Sequence, residues 1–376
     1  MGFFRLLFAF TVVLTHSRPI FGYFFGNPVV AVRAFFIISG FYMALILEGK
    51  YASYKSFIIS RFLRIYPLYF IILILTVLFS VTMHSLGGSW GEMQVMVTHF
   101  KELNAISFLW LFVSNTIVFG RDILMFLDLN PTTGFFVYSM DGFTSIPAQF
   151  FLLIPQAWTV ILEVLFYLIV PLIIKRKTAT IIALMITSIA IRQIILSLGL
   201  GGISWNYMFF PSEFIFFASG ILAYRLYKKI SLDTKKCKKI AIVFSALMIA
   251  YLALYNYINL DVPLNVKMLS IIPPKEILFY FIFILSLPFV FILSSRNLID
   301  RKIGELSYPV YITHILILAA IYPVIFNHLN LNSNLLGPIS FILAVILSLL
   351  LNKVVQEPID KYRHKKLLSG KGAPQS

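Results

Sequence analysis

The sequence is short of charge. Only 12% of its 376 residues are Asp, Glu, Lys or Arg, whereas charged residues approach a quarter of an ordinary soluble domain. Together with a mean hydropathy of +0.91, this shortage excludes a soluble globular protein. The chain also has one cysteine, Cys237, which excludes an internal disulfide and a cysteine-based metal site.

Apolar runs long enough to cross a bilayer, about 20 residues each, fill most of the chain. The first is no secretory signal peptide, because no small-residue cleavage site follows it. We place ten runs, at 3–20, 28–48, 65–83, 153–174, 178–198, 207–227, 240–258, 274–294, 305–326 and 334–353. The sequence therefore predicts an all-α polytopic membrane protein with about ten transmembrane helices.

Acidic residues are scarce as well, 15 against 31 basic ones, for a formal charge of +16. The basic residues fall in short clusters between apolar runs, which is typical of cytoplasmic loops. Because they are not gathered on one folded face, we expect no nucleic acid as a partner. If the N-terminus is cytoplasmic, all but seven of the 31 basic residues lie on the cytoplasmic side of the membrane. We therefore predict that both termini are cytoplasmic, with a transmembrane domain at 1–360 and a basic tail at 361–376.

On this topology, residues 84–152 form one long loop on the outer face. A structureless loop of this length is unusual in a compact protein. Its segment 105–120 is apolar but short and contains Asn115. We expect the loop to fold into a cap in which 105–120 dips into the membrane.

Ionisable side chains inside a membrane are costly, so each marks a candidate functional site. They are Arg5, His16, Arg33, Glu163, Arg192, Glu213 and His314. Arg5 and His16 are eleven residues apart, which puts them on one helix face about 16 Å apart. Counted from the ends of their runs, His16, Glu163 and His314 reach a similar depth.

A histidine beside a carboxylate suits general-base chemistry. The alternative is that each histidine bonds a backbone carbonyl and only ties helices together. Glu163 has two candidate partners, a histidine or an arginine such as Arg192. Arg61 and Arg64 are neighbours on one helix face and are either ordinary cytoplasmic anchors or a fork for phosphate.

Several motifs together resemble the acyltransferase-3 family of bacterial integral-membrane O-acyltransferases. The matching elements, in order, are Arg5 and His16 with ten residues between them, "FFIISGFYM", "RFLRIYP", "WTVILEVLFY", "FPSEFIFFASGILA", "IGELSYPVYITH" and a late "EP". Thr159 and Val160 are mild departures from the family pattern, and Arg33 stands where no basic residue is expected as a rule.

The resemblance implies transfer of an acyl group, usually acetyl from acetyl-CoA, to a hydroxyl. It implies that His16 is catalytic and that Arg5, Arg61 and Arg64 are essential, as contacts to the donor. We add Glu163 and His314 as catalytic candidates. Candidates for substrate contact are Arg33, Trp158, Ser307 and Tyr311.

We expect acetyl-CoA to bind from the cytoplasm and the acceptor, a lipid-linked or nascent glycan such as O-antigen, capsule or exopolysaccharide, to enter from the outer face. The protein would lie among the lipids of the bacterial inner membrane and use no metal. A small-molecule acceptor such as a macrolide is the alternative. A transporter without acyl transfer is favoured less, since paired broken half-helices are not evident.

Overall fold

A computed structural model describes residues 1–20, 22–48, 53–138, 146–200, 202–231, 233–260, 272–323, 332–363 and 365. Most of the predicted tail 361–376 lies outside these residues. The helices are α1 (Gly2–His16), α2 (Pro28–Leu47), α3 (Tyr54–Ser85), α4 (Gln94–Thr98), α5 (Ala105–Ile117), α6 (Arg121–Leu124), α7 (Trp158–Ile173), α8 (Thr178–Ser197), α9 (Phe210–Lys229), α10 (Thr234–Leu254), α11 (Pro274–Ser294), α12 (Leu298–Glu305), α13 (Ser307–Pro323), α14 (Leu336–Leu351) and α15 (Glu357–Arg363). Strands β1 (Leu127–Leu129) and β2 (Phe136–Tyr138) form an antiparallel hairpin.

The long apolar helices confirm the predicted fold class. Within the described ranges, nine helical segments are long and apolar enough to cross a membrane. They coincide with nine of the ten predicted runs. The tenth run, 3–20, contains α1, which is apolar but only 15 residues long. The chain is a multi-pass, all-α membrane protein, and the orientation of its termini stays a prediction.

Helix α1 ends at His16, earlier than the hydropathy of the run predicts. The backbone of Ser17 has left the helical region (φ −96°, ψ −122°), and its Oγ donates to the carbonyl of Leu14 at 3.0 Å. Pro19 follows and disfavours a helical conformation at Arg18. His16 therefore stands at the end of a helix about 22 Å long rather than near the middle of a longer span.

The start of α1 is held by α12. The backbone N–H groups of Gly2 and Phe3 donate to the carboxylate of Asp300 at 2.7 and 2.9 Å, which satisfies two amides that a helix start leaves without partners. A Cβ on Gly304 would lie 2.7 Å from Cα of Gly2, so the two helices meet at backbone contact. This contact fixes the position of Arg5, one turn further along α1.

Helices α2 and α9 also cross at backbone contact. A Cβ on Gly40 would lie 1.9 Å from the carbonyl oxygen of Phe217, and a Cβ on Gly220 would lie 2.0 Å from that of Ile37. Small residues at such a crossing let two membrane helices approach closely. The crossing fixes Ser39 relative to α9.

We expect Gly220→Ala to lower the free energy of unfolding by about 1–3 kcal/mol or more, because the added methyl group meets a backbone carbonyl that cannot turn aside. Unfolding in a denaturing detergent titration measures the effect. Gly202→Ala is the matched control, since a Cβ on Gly202 meets no atom within 4 Å. Equal stability of the two variants would contradict the prediction.

The predicted cap at 84–152 contains α4, α5, α6 and the β1–β2 hairpin, with 139–145 outside the described residues. Helix α5 buries Ser114 and Asn115, while Ile106, Leu109 and Phe112 are 65%, 61% and 58% exposed. An apolar outward face of this kind suits contact with lipid. How far α5 dips into the membrane stays a prediction.

Arg121 ties the cap to the transmembrane helices. Its side chain is completely buried, and its guanidinium donates to the carbonyl of Ile154 at 2.9 Å, to the hydroxyl of Tyr69 at 3.1 Å and to Oδ1 of Asn115 at 3.3 Å. These three partners belong to the start of the α7 region, to α3 and to α5. A single buried cation therefore holds α5 against the bundle.

Candidate active site

A cavity of about 480 Å³ lies between α1, α2, α3, α7, α12, α13 and the last helices of the chain. This volume falls within the range of cofactor and substrate sites. Arg5 on α1 and Arg61 and Arg64 on α3 all line it. The structure thus brings together the three arginines that we predicted as donor contacts.

The arginine end of the cavity is also lined by carboxylates: Asp300, Glu305 and Asp360 are paired with the N-terminal amine, Arg301 and Arg363, which leaves Glu163 against the predicted arginines. Arg61 is only 6% exposed, and its guanidinium carbon lies 5.8 Å from the ring centre of Phe57 and 6.0 Å from that of Tyr167. Arg5 and Arg64 line the same cavity as Glu163 does. Like charges held together where the dielectric constant is low favour an anionic ligand.

Two further arginines at this end were missed from the sequence, because they looked like ordinary cytoplasmic charges. Arg301 of α12 and Arg363 of α15 both line the cavity. Arg363 donates to Oγ of Ser60 at 3.1 and 3.0 Å from its Nε and Nη2 atoms. Their only sequence signal was proximity to the "IGELSYPVYITH" and "EP" elements.

Glu163 lies inside the cavity and is bonded to two hydroxyl groups. Oγ of Ser39 donates to it at 2.8 Å, and the hydroxyl of Tyr167 donates to the same oxygen. Neither predicted partner is among these bonds, since Arg192 pairs with Glu213 at 2.9 Å and both histidines bond elsewhere. Helical spacing could have indicated Tyr167, four residues along α7, but not Ser39, which is 124 residues away.

The end of the cavity away from the arginines is formed by Thr159 and Tyr311. Oγ1 of Thr159 bonds to the hydroxyl of Tyr311 at 3.0 Å. Tyr311 also donates to the backbone carbonyl of Gln156 at 3.0 Å. Ser307 lines the same wall one turn lower and donates to the carbonyl of Gly304 at 2.8 Å, so two of the predicted substrate contacts, Ser307 and Tyr311, face the cavity.

His16 and His314 face each other just beyond Tyr311. Their ring centres are 5.0 Å apart, and the ring of His314 lies 5.7 Å from that of Tyr311. His314 is completely buried, whereas His16 is exposed at the end of α1. Neither ring lines the cavity itself, but Tyr311, whose ring packs beside that of His314, does.

Both histidines bond a backbone carbonyl, as the structural interpretation of the sequence predicted. Nδ1 of His16 lies 3.0 Å from the oxygen of Val12, and Nδ1 of His314 lies 2.5 Å from that of Tyr311. Since a carbonyl can only accept, each Nδ1 carries the hydrogen, and a neutral ring then presents the lone pair of Nε2. The bond that ties each ring to its helix therefore also sets the tautomer a general base needs.

The expected common depth of the three residues is wrong for Glu163, whereas the two histidines lie side by side with ring centres 5.0 Å apart. Glu163 lies one turn inward of Thr159 along α7, and His314 lies one turn beyond Tyr311 in the opposite direction along α13. Glu163 is thus roughly 10 Å nearer the arginines than His314 is, at 1.5 Å per residue. The depths were counted from span ends that differ from the observed ends of α1 and α7.

Arg33 lies in a buried network of charges and not at the cavity. Its guanidinium donates to both carboxylate oxygens of Glu213 at 2.9–3.2 Å, to Glu276 at 3.2 Å and to the carbonyl of Asn206 at 3.1 Å. Arg33 is 3% exposed and Glu213 is fully buried. The predicted contact of Arg33 with the acceptor gains no support from this placement, because its donors are already used.

Trp158 begins α7 beside the site but does not line the cavity. Its ring packs edge-on against that of Tyr207 at 4.6 Å. Through Tyr207 it reaches the Arg33 network, since the Arg33 guanidinium lies 5.5 Å from the ring centre of Tyr207. The position suits packing of α7, and its role as a substrate contact stays a prediction.

The fold and this cavity define a multi-pass membrane protein with an arginine-lined interior site. Residues 1–353, nearly the whole chain, match the family described as the acyltransferase domain, acyltransferase-3. The chain belongs to the acyltransferase-3 family and is a membrane acyltransferase, as the motifs predicted. No curated protein and no solved structure matches it.

Proposed function

We propose that the protein transfers an acetyl group from cytoplasmic acetyl-CoA to a hydroxyl of a cell-surface glycan, such as O-antigen, capsule or exopolysaccharide, in the bacterial inner membrane. One observation carries the proposal: a single cavity has its arginines at one end and ends at Tyr311, in ring contact with a histidine pair, at the other. A donor with a charged head and a long neutral arm fits this polarity.

The arginine end supports a phosphate-bearing donor. Arg5, Arg61 and Arg64 surround one space, and guanidinium groups bind phosphate through paired hydrogen bonds. The phosphates would stay at this end because they cannot enter lipid. The pantetheine arm would extend along α1, whose rise from Arg5 to His16 is about 16 Å, and carry the thioester toward Tyr311.

The histidine end supports general-base catalysis. His16 would accept the proton of the acceptor hydroxyl on Nε2 while the hydroxyl oxygen attacks the thioester carbonyl. The C–S bond then breaks, the ester forms, and the CoA thiolate takes the proton back from the imidazolium. The exposure of His16 at the far end of α1 leaves it open to an acceptor that arrives from the side opposite the arginines.

The test uses purified protein in lipid nanodiscs, with acetyl-CoA and surface polysaccharide from the host, deacetylated by mild alkali. We expect free CoA to appear together with a gain of acetyl mass on the polysaccharide. The only thiol in the protein, Cys237, is buried, so thiol reagents report CoA with little background. Absence of CoA release with any glycan acceptor would contradict the proposal.

An arginine variant tests the donor site in the same assay. We expect Arg64→Gln to raise the KM for acetyl-CoA about tenfold or more, because a charge-assisted bond to phosphate contributes about 1.5–3 kcal/mol, and to leave the KM for the polysaccharide unchanged. Arg176→Gln is the matched control, since Arg176 is exposed and does not line the cavity. Equal effects of the two substitutions would argue against a phosphate site at Arg64.

A further inference from the structure

A second cavity, of about 380 Å³, lies apart from the candidate active site; we call it the cap groove. Its walls come from Asp122, Phe126 and Tyr138 of the cap, from Leu165 of α7, and from the start of α9 with the turn before it. Among the described residues, none lines both the cap groove and the arginine-lined cavity. Leu165 and Glu163 are two residues apart, about 200° around α7, so the two cavities lie on opposite faces of that helix.

Aromatic rings form much of the cap groove. The ring centre of Trp205 lies 4.5 Å from that of Phe126 and 5.1 Å from that of Phe209, at interplanar angles of 53° and 70°. The ring of Tyr138 lies 6.5 Å from that of Trp205, at 66°. Several rings set at steep angles around one space suit a positively charged ligand, because the face of an aromatic ring attracts an ammonium group.

Asp122 is the one charged residue among those that line the cap groove. Its side chain is partly buried, and its carboxylate is bonded by backbone amides at the start of α6. Within the described ranges it forms no ion pair with a lysine, arginine or histidine. The neighbouring Arg121 donates to neutral groups of the bundle and the cap instead. A carboxylate in apolar surroundings without a cation is costly, so the charge of the groove favours a cationic ligand.

The cap groove opens to the outside of the bundle. Ile123 and Tyr138, which line it, are 48% and 49% exposed. Helices α7 and α9 belong to segments that are long and apolar enough to cross a membrane, so lipid surrounds this wall of the groove. Leu165, Met208 and Pro211 add apolar surface beside the rings. A cation joined to hydrocarbon chains therefore matches the groove better than a small soluble cation does.

We propose that the cap groove binds a phospholipid with a primary ammonium headgroup, of the phosphatidylethanolamine class. Its ammonium group donates N–H bonds to the carboxylate of Asp122 and lies among the rings of Phe126 and Trp205, while its acyl chains pass along Leu165 of α7. A primary ammonium group fits better than a quaternary one, because a carboxylate forms charge-assisted hydrogen bonds only with N–H groups. This lipid site goes beyond the proposed acetyl transfer and does not depend on it.

The experiment measures lipid contact at Trp205 itself. The protein keeps Trp205 as its only tryptophan, with Trp90, Trp110 and Trp158 changed to phenylalanine. It is reconstituted in nanodiscs that contain phosphatidylethanolamine and phosphatidylglycerol in equal amounts. Bromine atoms on the acyl chains of one lipid or the other quench tryptophan fluorescence on contact. We expect the ethanolamine lipid to be preferred about tenfold at Trp205, because a hydrogen bond to a charged group contributes enough for that ratio.

Asp122→Asn should reduce this preference to about twofold or less, because the amide carries no charge. Glu92→Gln is the matched control, since Glu92 is also a partly buried carboxylate of the cap but does not line the groove. We expect it to keep the full preference. An unchanged preference in Asp122→Asn, or equal losses in the two variants, would overturn the lipid site.

A change of lipid tests the same site without any change at Asp122. Phosphatidylcholine keeps the positive charge and the contact with the rings but has no N–H group, so its preference over phosphatidylglycerol should be intermediate. This arm is decisive even if Asp122→Asn fails to fold. Phosphatidylcholine held as strongly as phosphatidylethanolamine, or phosphatidylglycerol held as strongly as either, would contradict the proposal.

Discussion

Replacing Glu213 by glutamine should lower the free energy of unfolding by about 3–5 kcal/mol, the loss that follows when one partner of a buried ion pair is removed. Glu213 is fully buried and accepts from both Arg33 and Arg192, each at 2.9 Å. Without the negative charge of Glu213, Glu276 would be the one carboxylate of this network left to balance the two buried guanidinium groups. The substitution keeps the side-chain volume, so it removes charge and leaves the packing intact.

The measurement is unfolding of purified protein by a denaturing detergent titration. Lys228→Gln is the matched control: its ion pair with Glu48 joins two side chains that are 52% and 43% exposed, and pairs of this kind contribute about 0–1 kcal/mol. The double variant Arg192→Met with Glu213→Gln restores the balance of charge and should lose less than the sum of its single variants. Additive losses, or a Glu213→Gln protein as stable as the control, would contradict the prediction.

This network shows where prediction from sequence stops. Each member was recognisable as a costly charge within a span, so that some pairing was expected. Which residue pairs with which could not be predicted, because Arg33 and Glu213 are 180 residues apart in the sequence. Helical periodicity gives the face a residue occupies but not the helix that lies opposite. The close crossing of α2 and α9 at Gly40 and Gly220 brings Arg33 and Glu213 together, and that these two helices pair was evident only in the structure.

The helices themselves followed from simple signals. Within the residues that the structure describes, nine of the ten predicted runs correspond to helices long enough to cross a membrane. The exception, α1, failed because hydropathy continues to residue 20 while Ser17 and Pro19 end the helix. Local backbone chemistry overrode the apolar pattern there, and it placed His16 at the end of the helix.

The candidate site was predictable where residues lie close in sequence. Arg61 and Arg64 share one helix face, and Ser307 and Tyr311 share another, so spacing alone grouped them. Gln156 carried no such signal, because it precedes α7 and meets α13 only through folding, 156 residues from Ile312. Glu163 lies in the cavity, but its hydroxyl partners came from α2 and its own helix.

Replacing His16 by alanine should have the largest effect on the acetyl transfer proposed above. Loss of a positioned general base lowers the rate about 10²–10⁴-fold. The KM for acetyl-CoA should stay nearly unchanged, because His16 does not line the cavity that holds the arginines. The readout is the initial rate of CoA release in nanodiscs with saturating polysaccharide. His84→Ala is the matched control, since His84 is an exposed residue stacked on Trp90 at 3.9 Å.

The same assay assigns the roles within the histidine pair. If His16 is the base, His314→Ala should lower activity less, because His314 then only supports the ring of His16 across 5.0 Å. If His314 is the base, the order reverses: His16→Ala stays near wild type and His314→Ala loses the rate. The exposed position of His16 and the buried position of His314 favour the first order, because an acceptor that arrives from outside the bundle meets His16 before it meets His314.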